Sequence, residues 1–305
     1  MTEFFINELA TPEHATAAVE TRITPHLDHA VVNVAGRLNH AEQQFRRLGF
    51  QLTPRGHHSL GSSNHLAIFG ENYLELLGYE AANEHTRKDL WQAPLGLTGL
   101  VWKTQNADAV FSHLQQQNIA GSPPAEFFRP VQLNDGSEPN ARFRTVPLAA
   151  DRVPNGRSFF CQHVTPELVW RTEWQRHPNG VTDISGFVIT ASDPQQAAQV
   201  YGELFGKPAV VSDGQGGWKI HAGRATVRFI TPDRASAEFG KVPEDENGHA
   251  RMVALEFATG SLEQVRNSLK VGEISFTDAD GRIVVRAEEA LGVALTFGLR
   301  TEYAV

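Results

Sequence analysis

The sequence predicts an α+β protein of four βαβββ modules, paired into two domains whose curved mixed sheets each enclose a cleft. Three observations predict it. An apolar strand followed by a short amphipathic helix and further strands recurs four times along the 305 residues. Three of the four helices carry a start or stop signal of known physical origin. A unit of this kind cannot bury its sheet alone, so modules must pair.

The elements follow in order. Residues 1–24 read as a leader, with Thr11 placed to cap a short helix. The first domain spans 25–175. Its first module opens with a strand over 29–34 and a helix over 38–48, in which Ala41, Phe45 and Leu48 share one face. Gly49 stands where a helix C-terminus wants a residue tolerant of positive φ. A polar loop over 53–63 leads to a strand over 64–69, a turn at Gly70-Glu71-Asn72 and a strand over 72–77 containing Glu75. The second module has a strand over 100–102, a helix over 107–117, turns at Pro123-Pro124 and 135–139, and strands over 141–148 and 158–162. A link over 170–181 precedes the second domain, 180–305. Asp193 and Pro194 open the third helix, over 194–204, and Ser261 opens the fourth, over 262–269. The closing strands of these modules lie over 225–230 and 293–297.

Composition narrows the function classes. Hydrophobic residues make up 41% and charged residues 20%, which suits a globular protein with true cores. A net charge of -8 with scattered basic residues argues against a nucleic-acid partner. The lone Cys161 excludes an internal disulfide, and its apolar strand suggests a buried, inert thiol. No basic n-region precedes an apolar run at the N-terminus, and no run is long enough to cross a bilayer. The expectation is a cytoplasmic protein without a membrane partner, binding a small molecule as a monomer or homodimer.

His29 and Glu75 fall on the first and fourth strands of one module, which are neighbours in a βαβββ sheet. An imidazole and a carboxylate converging on a concave face are two ligands of a divalent metal site. Glu75 stands among leucines, where an unpaired charge is costly and demands a partner. The structural alternative is that Glu75 pairs with Arg55 or His65 and His29 is a hydrogen-bonded core residue. His163, at the end of the last strand of the second module, is a candidate third ligand. His58 is a candidate proton carrier beside Glu75, although a loop histidine is more often simply solvated. Asn64, Trp102, Arg144 and Gln162 are candidate substrate-binding residues, each with a structural role as its alternative. The second domain lacks the set: Ser185 and Val253 take the place of His29, and residues 226–228 and 296–297 that of Glu75. The glycines at 214–217 lie between strands and read as a hairpin turn, not a phosphate cradle.

Taken with the stretches Leu27-Asp28-His29-Ala30-Val31-Val32, Leu48-Gly49-Phe50, 58–69, Tyr73-Leu74-Glu75-Leu76-Leu77 and His177-Pro178-Asn179-Gly180, the chain resembles the vicinal-oxygen-chelate superfamily. This superfamily joins glyoxalases, bleomycin-resistance proteins and extradiol dioxygenases, and the likeness is to its glyoxalase-like branch. The resemblance implies metal ligands on first and fourth strands, which carries over to His29 and Glu75. The second module departs from the pattern, offering Thr98 or Gly99 where many members place a histidine or glutamine. Two functions follow as expectations. One is an enzyme using a divalent ion (iron, manganese, nickel or zinc) for lyase, isomerase or extradiol dioxygenase chemistry on a small metabolite with vicinal oxygens. The other is a metal-free protein that sequesters a small molecule.

Overall fold

In a computed structural model that describes residues 23–300, sixteen strands form two sheets of eight. The helix expected at Thr11 lies outside the described residues. The first sheet comprises β1 (Leu27–Ala35), β2 (Gly56–His57), β3 (Ser63–Ile68), β4 (Tyr73–Gly78), β5 (Gly96–Lys103), β6 (Ala125–Pro130), β7 (Asn140–Pro147) and β8 (Arg157–His163). Its order is β2-β3-β4-β1-β5-β8-β7-β6. The second comprises β9 (Val181–Thr190), β10 (Val210–Ser212), β11 (Trp218–Ala222), β12 (Ala225–Ile230), β13 (Arg251–Thr259), β14 (Thr277–Ala279), β15 (Arg282–Val285) and β16 (Ala294–Leu299). Its order, β10-β11-β12-β9-β13-β16-β15-β14, repeats the same scheme. Within each module the first and last strands pair in parallel, and modules join through the antiparallel pairs β1–β5 and β9–β13.

The four expected helices are present as α1 (Leu38–Arg47), α3 (Ala107–Gln116), α4 (Pro194–Phe205) and α6 (Leu262–Val271). Asp193 and Ser261 accept from the backbone N–H three residues on, as N-caps do. Gly49 ends α1 at φ +84°, and a Cβ there would stand 2.0 Å from Ser268 Oγ. Backbone conformation and the close approach of the second half therefore both require glycine at this place. Two further helices, α2 (Lys88–Trp91) and α5 (Pro232–Phe239), were not anticipated.

Strand alternation divides the side chains of the first sheet between two environments. Ala30, Val32, Leu100 and Trp102 face a core shared with the second half, where Trp102 meets Phe205 at 4.8 Å and Phe50 meets Phe257 at 5.2 Å between ring centroids. Val31, Val101, Phe143 and Phe159 face the concave side. The link between halves is fastened by side chains. His177 Nδ1 accepts from the Gln51 N–H at 3.0 Å, its Nε2–H donates to the Ile68 carbonyl at 2.9 Å, and Asn179 Nδ2 donates to the Leu48 carbonyl at 3.0 Å.

The concave face of the second sheet is filled. Ala235 and Phe239 of α5 pack there against Val188, Ile230, Val253 and Ala294. Arg228, in the place corresponding to Glu75, is paired with Glu238 at 2.8 Å and Glu256 at 2.7 Å. Among the described residues no helix is long and apolar enough to cross a membrane.

Candidate functional site

The first sheet curls until its edges meet. The Ser59 N–H donates to the Phe128 carbonyl at 2.9 Å, and the Phe128 N–H donates to Ser59 Oγ at 3.1 Å, joining the end of β2 to β6. Two segments cover the cleft so formed. One carries Leu90 and Trp91 and is held by Asn33 Nδ2, which donates to the Ala93 and Pro94 carbonyls. The other carries Val169, Trp170 and Trp174.

Glu75 lies at the centre, 7% exposed. Its Oε2 is 3.7 Å from His29 Nε2 and its Oε1 is 3.8 Å from His58 Nε2. Both imidazoles are held by their other nitrogen: His29 Nδ1 on Asp28 Oδ2 at 2.7 Å, His58 Nδ1 on Ser62 Oγ at 2.8 Å. Asn64 Nδ2 donates to Glu75 Oε1 at 2.7 Å and lies 3.1 Å from His58 Nε2. Since the carboxylate can only accept, the amide turns its NH2 inward, and His58 Nε2 receives the second hydrogen. Burial pushes the His58 imidazole down to about 4, so it is neutral, with its proton on Nδ1 and its lone pair in the cleft.

Asp28 reaches this face because β1 is bulged. Leu27 pairs with Trp102 and His29 with Val101, which leaves Asp28 as an extra residue beside His29 instead of on the opposite face. Its carboxylate also accepts from His163 Nε2 at 2.9 Å. Burial would raise the Asp28 carboxyl, but the charges and hydrogen bonds of His163 and His29 outweigh it and hold it well below the usual carboxylate range. His163 therefore reaches His29 through Asp28. Ligand atoms of Asp28, Cys161 and His163 lie within 4.8 Å of one another. Burial pushes the Cys161 thiol well up, keeping it protonated, as expected of an inert thiol.

Aromatic rings line the rest. Tyr73 stacks on His29 at 4.2 Å, Phe159 presents an edge at 5.9 Å, and Phe127 meets His58 at 5.1 Å. Two arginines, the buried Arg129 and the partly exposed Arg157, also face the cleft, and sequence reasoning missed both. Their signal was alternation: Arg129 shares parity with Phe127, and Arg157 with Phe159.

Three substrate-binding candidates require correction on the same ground. Trp102 is fully buried on the opposite face of β5, where its Nε1 donates to Ser158 Oγ. Arg144 points outward and forms a two-pronged pair with Asp108 of α3 at 2.8 Å. Gln162 accepts from the Ala107 N–H at the start of α3. Each is one residue out of phase with a neighbour that does line the cleft. On the side of the second module, the positions facing His29 and Val31 are Val101 and Gly99, with Phe159 and Arg157 beyond them. No histidine or glutamine stands there.

Residues 27–205 match a family described as the glyoxalase-like domain. The chain belongs to the glyoxalase-like domain family. The matched region holds the whole of the first sheet, together with β9 and α4. Solved structures share the fold over nearly the whole chain. A hypothetical protein from Staphylococcus aureus superposes with a TM-score of 0.63 at 12% identity, covering 90% of this chain and 99% of that one. A mutant of 4-hydroxymandelate synthase from Streptomyces coelicolor gives 0.58 at 12% identity, covering 91% and 94%. A fusion of a xylose isomerase-like TIM barrel with a 4-hydroxyphenylpyruvate dioxygenase gives 0.55 at 11% identity, covering 93% of this chain and 50% of that one. These likenesses establish the shared fold. No match is found among curated proteins.

Proposed function

We propose that this glyoxalase-like protein is a divalent-metal-dependent enzyme acting on a small oxygenated metabolite in the cleft of its first domain. One observation carries the reading: two imidazoles, each held at Nδ1, turn Nε2 toward a single buried carboxylate. Ligating histidines are commonly oriented through their second nitrogen in this way. Two imidazoles and a carboxylate are also a donor set that first-row ions accept. His29, Glu75 and His58 would hold the ion, and His163 would act through Asp28. When bound, the ion supplies Lewis-acid stabilisation to vicinal oxygens of the substrate. Asn64 fixes the Glu75 carboxylate, Asp28 fixes the His29 ring, and the covering segments exclude water. The Tyr73 hydroxyl, pushed well up by burial, stays protonated and can donate to a substrate oxygen. Lyase, isomerase and dioxygenase chemistry all remain compatible with these roles.

A second reading, a metal-free binding protein, draws on the aromatic walls and on Arg129 and Arg157, which already oppose the charge of Glu75. Metal content by mass spectrometry separates the two. Tag-free protein is expected to carry about one iron, manganese, nickel or zinc per chain, lost in His29→Ala, His58→Ala and Glu75→Gln and retained in His163→Ala. Loss in His163→Ala alone would move the ion to Asp28, Cys161 and His163. No metal, even on titration, would leave the binding protein.

A further inference from the structure

Arg129 is 4% exposed, yet it forms no ion pair among the described residues and its Nε has no hydrogen-bond partner. Arg157 lies over the Phe159 ring, 5.2 Å from its centroid, and likewise has no carboxylate partner among the described residues. Both guanidiniums feel the charge of Glu75. Asp28 is no help, because His29, His163 and Lys103 already surround it. A buried guanidinium without a partner is costly, so Arg129 points to an anionic ligand.

A second orphan stands beside the first. Asn64 Oδ1 is buried without a hydrogen-bond partner, since the NH2 of the same amide serves Glu75 and His58. Both orphans border the concave side of Gly56. A Cβ at Gly56 would lie 2.3 Å from Arg129 Cδ, 2.6 Å from Asn64 Oδ1 and 2.7 Å from Arg129 Nη1, so only glycine lets these two side chains pack here. A forked cationic donor thus stands next to a neutral acceptor.

We propose that Arg129 and Asn64 anchor the substrate, which is a small carboxylate bearing a hydroxyl beside the carboxyl group. The carboxylate pairs with the guanidinium, whose planar fork matches it, and the hydroxyl donates to Asn64 Oδ1. The rings of Phe127 and Tyr73 supply an apolar wall for the rest of the molecule. This inference rests on reading the cleft as a substrate site, and it stands whether or not a metal is present.

The test is calorimetric titration of chelator-treated protein with phenyllactate, phenyllactamide and phenylpropionate, with metal uptake measured separately on the same preparation. Phenyllactate is expected to bind at least about tenfold more tightly than the amide, which lacks the charge, and more tightly than phenylpropionate, which lacks the hydroxyl. Arg129→Gln is expected to erase the preference for acid over amide and, without ligand, to melt at a higher temperature than wild type. Gly56→Ala is expected to lose the preference for acid over amide, and it serves if Arg129→Gln does not fold. Equal binding of acid and amide, no binding of any of the three, or full acid preference in Arg129→Gln would overturn the proposal. Acid preference without metal uptake supports the anchor and removes the metal reading. Metal uptake without acid preference does the reverse.

Discussion

Asp28 and His29 are consecutive residues whose side chains meet on one face of a strand, Nδ1 to Oδ2 at 2.7 Å. In a regular strand they would point to opposite faces. The bulge in β1 gives His29 a carboxylate that fixes its tautomer, with Nδ1 protonated and the Nε2 lone pair on the side of Glu75, 3.7 Å away. It also gives Asp28 two imidazole partners at full burial.

Asp28→Asn tests this arrangement. The amide keeps the shape but not the charge, so the His29 ring is held less firmly. Metal affinity is expected to fall about 10–100-fold, the range seen for partners of ligating histidines. Chelator competition measures it. Unchanged affinity would mean that Asp28 serves only packing.

Trp102→Ala is expected to destabilise the fold by about 3–5 kcal/mol, the usual cost of emptying a large buried aromatic site. The loss falls at the contact between halves, where the indole meets Tyr201 at 5.7 Å and Phe205 at 4.8 Å. Urea unfolding measures it. Ligand and metal binding by the protein that remains folded should be unaltered, because this side chain faces away from the cleft.

Arg144→Ala and Gln162→Ala make the complementary case. Both side chains engage α3 on the outer face, so neither substitution should change metal content or ligand affinity. A weakened ligand in either variant would return that residue to the site.

The sequence carried the module count, the four helices with end signals for three of them, and the His29–Glu75 pair, because these depend on local chemistry and on which strands neighbour one another. What failed was phase. In a strand, counting one residue too many moves a side chain to the other face, and Trp102, Arg144 and Gln162 were each misplaced in this way. Parity inside the second module was available, since Phe143 and Phe159 mark the inner face. Followed through, it would have selected Arg157 instead of Gln162. The Asp28 bulge had no local signal, because a bulge is fixed by pairing with a distant strand. The plug formed by α5 was announced only by Thr231-Pro232, a cap and first-turn proline like those of α4.

His177 supplies a dependence on pH at the link between halves. Its Nδ1 accepts from the Gln51 N–H, so the folded state requires the neutral ring, and burial lowers its affinity for a proton below the ordinary value of 6.5. The unfolded chain therefore binds the proton more readily than the folded one. Stability is fully present above about pH 6.5 and declines as the pH falls below it, until the folded ring also titrates. For one proton the slope can reach about 1.4 kcal/mol per pH unit. In His177→Gln this contribution vanishes, because the amide does not titrate while still offering an acceptor to Gln51. Unfolding free energies of the two proteins should therefore run parallel from pH 7 to 8 and converge below about pH 6.5. Curves that stay parallel throughout would show that His177 binds protons equally in both states.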